Sequence, residues 1–349
     1  MIKEKYNFVD KYLHYFILNN QFVSDFIFDI EKKLFLKNND FKNHKHIFIS
    51  GLARSGSTLL LNILHQNNNF CSFTYNDMPM ILAPNLWSKF FKNKTKINTL
   101  EKRAHNDLIN INVNSPEAFD EVFWKYILKN NYITNEFILN RSILEKHLLE
   151  YSKLITLVCS RYGKKNYLSK NNNSIFRVEK ILDYFKKSFF LIPFRDPISH
   201  TNSLIKQHNK FIDLQKNDHF VLKYMNWLGH HEFGIDQKPF KFKNENYISN
   251  KKLIKYWISI WIDYYEYILE ISKNSKNKNR IIFVNYNKLC TNKNDYLNKI
   301  FSKIGVNDHT NKVKIISNHK TNNYNIDKNQ IEKANEIFFK LDNYINISN

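Results

Sequence analysis
The chain has 349 residues, 43% of them hydrophobic, enough to bury a substantial core and too many for wholesale disorder. Its 53 basic and 32 acidic residues leave a formal charge of +21, which favours anionic ligands. The lysines are scattered along the whole length among Asn, Ile and Phe, with no dense basic block, so a nucleic-acid partner is not expected.

In chain order, the first twenty residues, MIKEKYNFVDKYLHYFILNN, interleave charge and aromatics and lack the apolar core of a signal peptide. They predict an amphipathic helix, within a helical extension over residues 1–44. Ile47-Phe48-Ile49 reads as a buried strand that breaks at Gly51 and enters an apolar helix from about Leu59. Strand, small-residue turn and helix form the layout of a phosphate cradle, in which backbone N–H groups and the positive helix end converge on an anion. The spacing from Gly51 to Gly56 matches a Walker A loop, but Ser57-Thr58 stands where that loop has Lys-Ser/Thr. The lysine that reaches a β/γ-phosphate is missing, and Arg54 stands inside the loop instead. This argues against ordinary ATP hydrolysis and for another phosphate-bearing ligand.

Phe70–Thr74 is predicted as a second strand, beside the phosphate-loop strand, with Asp77 in the turn that follows and so at the same carboxyl edge as Arg54. Residues 80–165 are predicted mainly helical: a start at Ser115-Pro116-Glu117 and a strong helix near Ser142–Ser160 carry the signal. Asn166–Lys170 reads as a short strand ending on a lysine, followed by a helix with Ile175, Val178, Leu182 and Phe185 on one face. Phe189–Phe194 is the most apolar strand. It ends at Arg195, and Asp196-Pro197 is an N-cap and first-turn proline for a helix that carries Ser203 and His208. A long helix follows over Lys252–Ser272, then a strand at Ile281–Val284 and a helix near Asp295–Ile304.

Alternating strands and helices predict an α/β fold of three layers, P-loop-like, with a central parallel sheet flanked by helices, built as one domain over residues 1–349. Ligands of such sheets sit outside the carboxyl ends of the strands. The Gly51 loop, Lys170 and Arg195 all lie just past strand ends, so neighbouring strands would bring these cations to one crevice. Cys71, Cys159 and Cys290 are odd in number and widely spaced, which favours a reducing compartment, the cytoplasm. No apolar run approaches the ~18 residues of a transmembrane helix. His230-His231 has no third ligand nearby, so no metal is expected.

Two separated segments together resemble the PAPS-dependent sulfotransferases, the tyrosylprotein- and carbohydrate-type enzymes in particular. GLARSGSTLL resembles that family's loop for the 5′-phosphosulfate, with Ser57 departing from its usual Thr-Thr pair. FLIPFRDPISHTNSL resembles its 3′-phosphate site, a strand-end arginine followed eight residues later by a serine, here Arg195 and Ser203. Lys170 lies between them, where the family carries a strand-end lysine. The resemblance implies transfer of a sulfuryl group, without a metal, from PAPS to a hydroxyl or amine of a carbohydrate or small-molecule acceptor, with PAP as product. It assigns donor binding to Arg54, Ser55, Gly56, Ser57, Thr58, Arg195 and Ser203, and transition-state stabilisation to Arg54 and Lys170. Asp77, 23 residues after Arg54 at an expected strand end, is the first choice of general base, with Glu117, Glu121, His105 and His208 as alternatives. Acceptor specificity is expected from residues 80–165 and the loops at 211–250; the sequence names neither the acceptor nor the oligomeric state. Two rival readings remain: a P-loop small-molecule kinase, and a non-catalytic binder of PAP or sulfated glycan.

Overall fold
The computed structural model describes residues 7–37, 41–90, 101–102, 110–242, 250–291, 293–306 and 327–344. Five parallel strands form the central sheet: β1 (Ile47–Ile49), β2 (Phe70–Cys71), β3 (Asn166–Lys170), β4 (Phe189–Phe194) and β5 (Ile281–Asn285), in the order β2-β3-β1-β4-β5. Their apolar runs are continuous because both faces are covered. Phe48, Tyr167, Phe190, Ile192, Ile281 and Phe283 join one hydrophobic core, whereas Ile47, Ile49, Leu168, Leu191, Ile282 and Val284 join a second on the opposite face. This alternation is the two-residue period of the strand, read out into two cores.

The second core is roofed by α3 (Ser57–His65), through Leu60, Leu61, Ile63 and Leu64, and by a helix at Lys293–Ile304, through Leu297, Ile300, Phe301 and Ile304. The larger core takes most of the other helices, which in chain order are α1 (Phe8–Leu18), α2 (Gln21–Phe35), α4 (Pro84–Phe90), α5 (Asp120–Ile127), α6 (Glu145–Tyr162), α7 (Val178–Tyr184), α8 (Pro197–Asn217), α9 (His219–Trp227), α10 (Ile254–Asn274) and α13 (Lys328–Asp342); α4 packs instead on α2 and α6. The short helix Tyr286–Thr291 is α11 and Lys293–Ile304 is α12. Trp257, Trp261 and Tyr264 of α10 are buried, as their spacing predicts.

Three expectations need correction. Strand β3 lies between β2 and β1, so β2 is not the neighbour of the phosphate-loop strand, and it stops at Cys71. Ser115–Glu117 does not start a helix: Pro116 bridges to Thr74, the Glu117 N–H donates to Phe73 O, and α5 begins only at Asp120. Residues 80–165 are also less uniformly helical than predicted. They include two-residue strands at Glu101–Lys102, Asn110–Ile111 and Ile138–Leu139, the last paired in parallel with Phe240–Lys241.

Candidate active site
Strand order sets the position of the site. From β1 the chain crosses to β2 on one side and later returns through β3 to β4 on the other, so the connections diverge at β1. A crevice opens at the carboxyl ends where that happens. Ile49 pairs with Lys170 on β3 and Leu191 on β4, so β3 ends level with β1 at this edge, and β4 runs on to Phe194 beside it.

The loop leaving β1 is tightly built. Arg54 has φ 70° and Gly56 has φ 96°, two left-handed residues that fold the chain back over the start of α3. A Cβ on Gly56 would stand 2.3 Å from Cδ2 of Tyr286, so glycine is required there by both conformation and space. At Gly51 a Cβ would come within 2.6 Å of Ser55 Oγ and 2.7 Å of Pro193 Cγ. Gly56 is the N-cap of α3 and offers no side chain to the first-turn N–H groups of Ser57 and its neighbours, the arrangement of an anion cradle. Ser55 and Ser57 are buried in the turn, and Thr58 follows in the first turn of the helix.

Helix α8 grips this loop at two points. Arg54 Nε donates to Ser203 Oγ at 3.2 Å. One turn earlier, His200 Nε2–H donates to the Ala53 carbonyl at 2.8 Å, while its Nδ1 accepts from Trp261 Nε1–H at 3.2 Å. Burial, with Arg195 and Arg54 nearby, pushes His200 down to about 3, so it is a neutral, fixed strut. Helix α8 starts where the sequence places it: Asp196 accepts from the Ser199 N–H at 2.8 Å and Pro197 occupies the first turn. Arg195 stacks over the Tyr286 ring at 5.0 Å, and its Nε is buried without a hydrogen-bond partner among the described residues. Tyr286 therefore touches both halves of the candidate donor site, Gly56 and Arg195. The structure thus gathers Arg54, Ser55, Gly56, Ser57, Thr58, Arg195 and Ser203.

Lys170, almost fully buried at the end of β3, has its Nζ 4.0 Å from Glu117 Oε1. Glu117 accepts from the Tyr75 hydroxyl at 2.7 Å and from the Ala118 N–H at 2.9 Å. Asp77 is placed elsewhere. Its carboxylate is fully buried, paired with Arg161 Nε at 2.8 Å, and accepts from the Tyr162 hydroxyl at 2.7 Å and the Thr74 N–H at 2.8 Å. The Thr74 side chain accepts from the Asn76 N–H, so Asp77 closes a reciprocal cap around its own turn. Both of its oxygens are committed, and this corrects the expectation that it faces Arg54.

Of the alternatives, Glu121 is locked between Arg177, Tyr132 and Asn171, and the Arg177 guanidinium keeps its carboxyl low against burial. His208 packs on Trp257 and accepts the Gly234 N–H; burial pushes it down to about 4. His105 lies outside the described residues. His230 is bonded to the Ala118 carbonyl and His231 pairs with Asp236, and among the described residues no three such side chains cluster as metal ligands. The sequence reading missed His200 and Tyr286. A histidine three residues before Ser203 on the helix face turned to the loop was the available signal for the first; nothing in the sequence marks the second.

A family model, that of the sulfotransferase family, matches residues 46–237, more than half of the chain and every donor-site and crevice residue above except Tyr286 and Trp261. Among solved structures, the chain is similar to the sulfotransferase STF1 from Mycobacterium tuberculosis H37Rv, with a TM-score of 0.52 and 11% identity over 84% of this chain and 76% of that one. It also matches the sulfotransferase STF9 from Mycobacterium avium, with a TM-score of 0.45 and 10% identity over 84% and 67% of the two chains. At these identities the STF1 likeness speaks for the fold alone, and the STF9 likeness is too loose to carry an argument. No curated protein matches the chain.

Proposed function
Because the chain belongs to the sulfotransferase family, we propose that it moves a sulfuryl group from PAPS to a hydroxyl or amine of a carbohydrate or small-molecule acceptor. One observation carries this reading: the hydrogen bond from Arg54 to Ser203, which joins the anion-cradling loop to the helix that begins beside Arg195. A donor with phosphates at both its 5′ and 3′ positions needs two anion sites on one sheet edge. The free Nε of Arg195 is a donor group left for such an anion.

In this mechanism the loop N–H groups and Arg54 hold the 5′-phosphosulfate, and Arg195 with Ser203 holds the 3′-phosphate. The acceptor oxygen or nitrogen bonds to sulfur as the bond from sulfur to the bridging phosphate oxygen breaks, and PAP leaves carrying that charge. Lys170 meets the charge as it develops, where a fixed cation acts most strongly. We assign the general base to Glu117, since it is the carboxylate that lies against Lys170; it takes the acceptor's proton. The acceptor side is assigned to the described helices and loops between residues 80 and 165.

The kinase alternative lacks its lysine at position 57. Incubation with PAPS or ATP and a panel of sugar and small-molecule alcohols tests the reading. PAP released in step with a sulfated product is expected; ADP release, or tight PAP binding with no turnover on any acceptor, would overturn it.

A further inference from the structure
Large apolar side chains stand in solvent on the first two helices. On α1, Phe8, Tyr12, Tyr15 and Phe16 recur at the spacing of a single helix face. Phe8 is 84% and Tyr12 61% exposed; on α2, Phe22 is 78% and Phe26 61% exposed, one turn apart. The opposite face of α1 is fully engaged: His14 and Ile17 are buried, and Lys11 lies over the Phe220 ring at 4.9 Å. The hairpin is therefore held by α1 on α9, where Tyr15 also meets Trp227, and by α2 through Phe28 on Phe123 and Tyr126, and it leaves Phe8, Tyr12, Phe16, Phe22 and Phe26 exposed. Large aromatic side chains exposed at this density on two successive helices mark an interaction surface.

Charge says what covers it. Between residues 7 and 37 the sequence has four acids (Asp10, Asp25, Asp29, Glu31) and four lysines (Lys11, Lys32, Lys33, Lys37), so the hairpin is electrically neutral, while the whole chain carries +21. Two copies meeting face to face would bring together two bodies of that same charge, which repel. An anionic bilayer attracts the body and offers the aromatic side chains the interface they partition into, with no net charge on the hairpin itself. We propose that the aromatic face of α1 and α2 seats the protein on an anionic lipid surface, with Phe8, Phe16, Phe22 and Phe26 entering the headgroup boundary. Seated this way, the protein would meet acceptors displayed at a membrane. The proposal does not depend on the donor or on the reaction.

The test is co-sedimentation of the full chain with vesicles of phosphatidylcholine alone or mixed with phosphatidylglycerol, beside the double variant Phe16→Ser/Phe22→Ser. Both positions are exposed, so the variant should keep the parent's circular dichroism and melting temperature. The parent is expected on the anionic vesicles and not on the neutral ones, with the variant's partition coefficient at least ten-fold lower at equal salt. Three results would overturn the proposal. One is a parent that stays in the supernatant. Another is a partition equal to the variant's, which would make the attraction charge alone. The third is a dimer, seen by sedimentation without lipid and abolished in the double variant, which would make a second copy the occupant.

Discussion

At the scale of single residues, the proposed mechanism separates side chains that would hold the donor from those that would act on the reaction. Arg195→Ala removes a charged hydrogen-bond donor and should weaken PAP binding by about 1.5–3 kcal/mol by calorimetry. Ser203→Ala should cost less, because Arg54 also sits on the loop itself. Lys170→Ala should lower kcat on the order of 100-fold, as the loss of one oxyanion donor does, with PAP affinity nearly kept. Equal losses in turnover and PAP binding would make Lys170 a donor clamp instead.

The two carboxylates divide in the same way. Glu117→Gln should abolish most turnover while leaving PAP affinity and melting temperature close to the parent's. Asp77→Asn should do the reverse. It leaves Arg161, whose partner at 2.8 Å is lost, largely buried and uncompensated, at a cost on the order of 3–5 kcal/mol of stability. Near-normal kcat in Glu117→Gln would return the base to another group.

At the scale of elements, the sequence was most legible where one signal decides the outcome. The runs that became β1, β4 and β5 are apolar without interruption, and nothing but a doubly covered strand suits them. Asp196-Pro197 announced α8 because a cap and a fixed φ are local properties. The turn after β1 and the strand end at Arg195 were legible for the same reason, since a glycine-bearing turn and a strand-end arginine need no distant partner to be recognised. Asp77 was not. Its role depends on Arg161 and Tyr162, which are 84 and 85 residues away in sequence, and on β3 inserting itself beside β1, and no local pattern encodes strand order. Ser115-Pro116-Glu117 misled because its cap signal lost to a bridge with Thr74. The cap that was read correctly supports a prediction. Asp196→Ala removes the bond to the Ser199 N–H and should cost roughly 1 kcal/mol of stability. Because Arg195 directly precedes this cap and the first two turns carry His200 and Ser203, PAP affinity should fall as well. Unchanged PAP affinity beside the lowered stability would show that the cap serves the helix and not the site.

At the scale of the whole molecule, the same burial that fixes the site also sets how the fold meets acid. His46 and His200 are buried, and burial pushes them down to about 4 and about 3, from an ordinary value of 6.5. An unfolded chain takes up a proton on each as pH falls below 6.5, while the folded chain refuses it until near its own lower value. The unfolded state thus binds more protons across this window, and stability falls with falling pH. Asp120 works in the opposite sense. Burial, against the hydroxyls of Tyr151 and Tyr167, raises its carboxyl to about 6, so from pH 6 down toward 4 the folded state holds the extra proton. His208, which burial also pushes down to about 4, adds to the two histidines, so three histidines oppose one carboxyl, the unfolded state holds more protons at pH 5 and stability falls as pH drops. Thermal unfolding followed from pH 7 to 4.5 should show a melting temperature that drops steadily below pH 6.5. Asp120→Asn keeps an oxygen for the tyrosine hydroxyls but removes the opposing proton, so its decline should be steeper than the parent's. A melting temperature that stays level over this range, or a slope that Asp120→Asn makes shallower, would show that these buried groups do not govern acid stability.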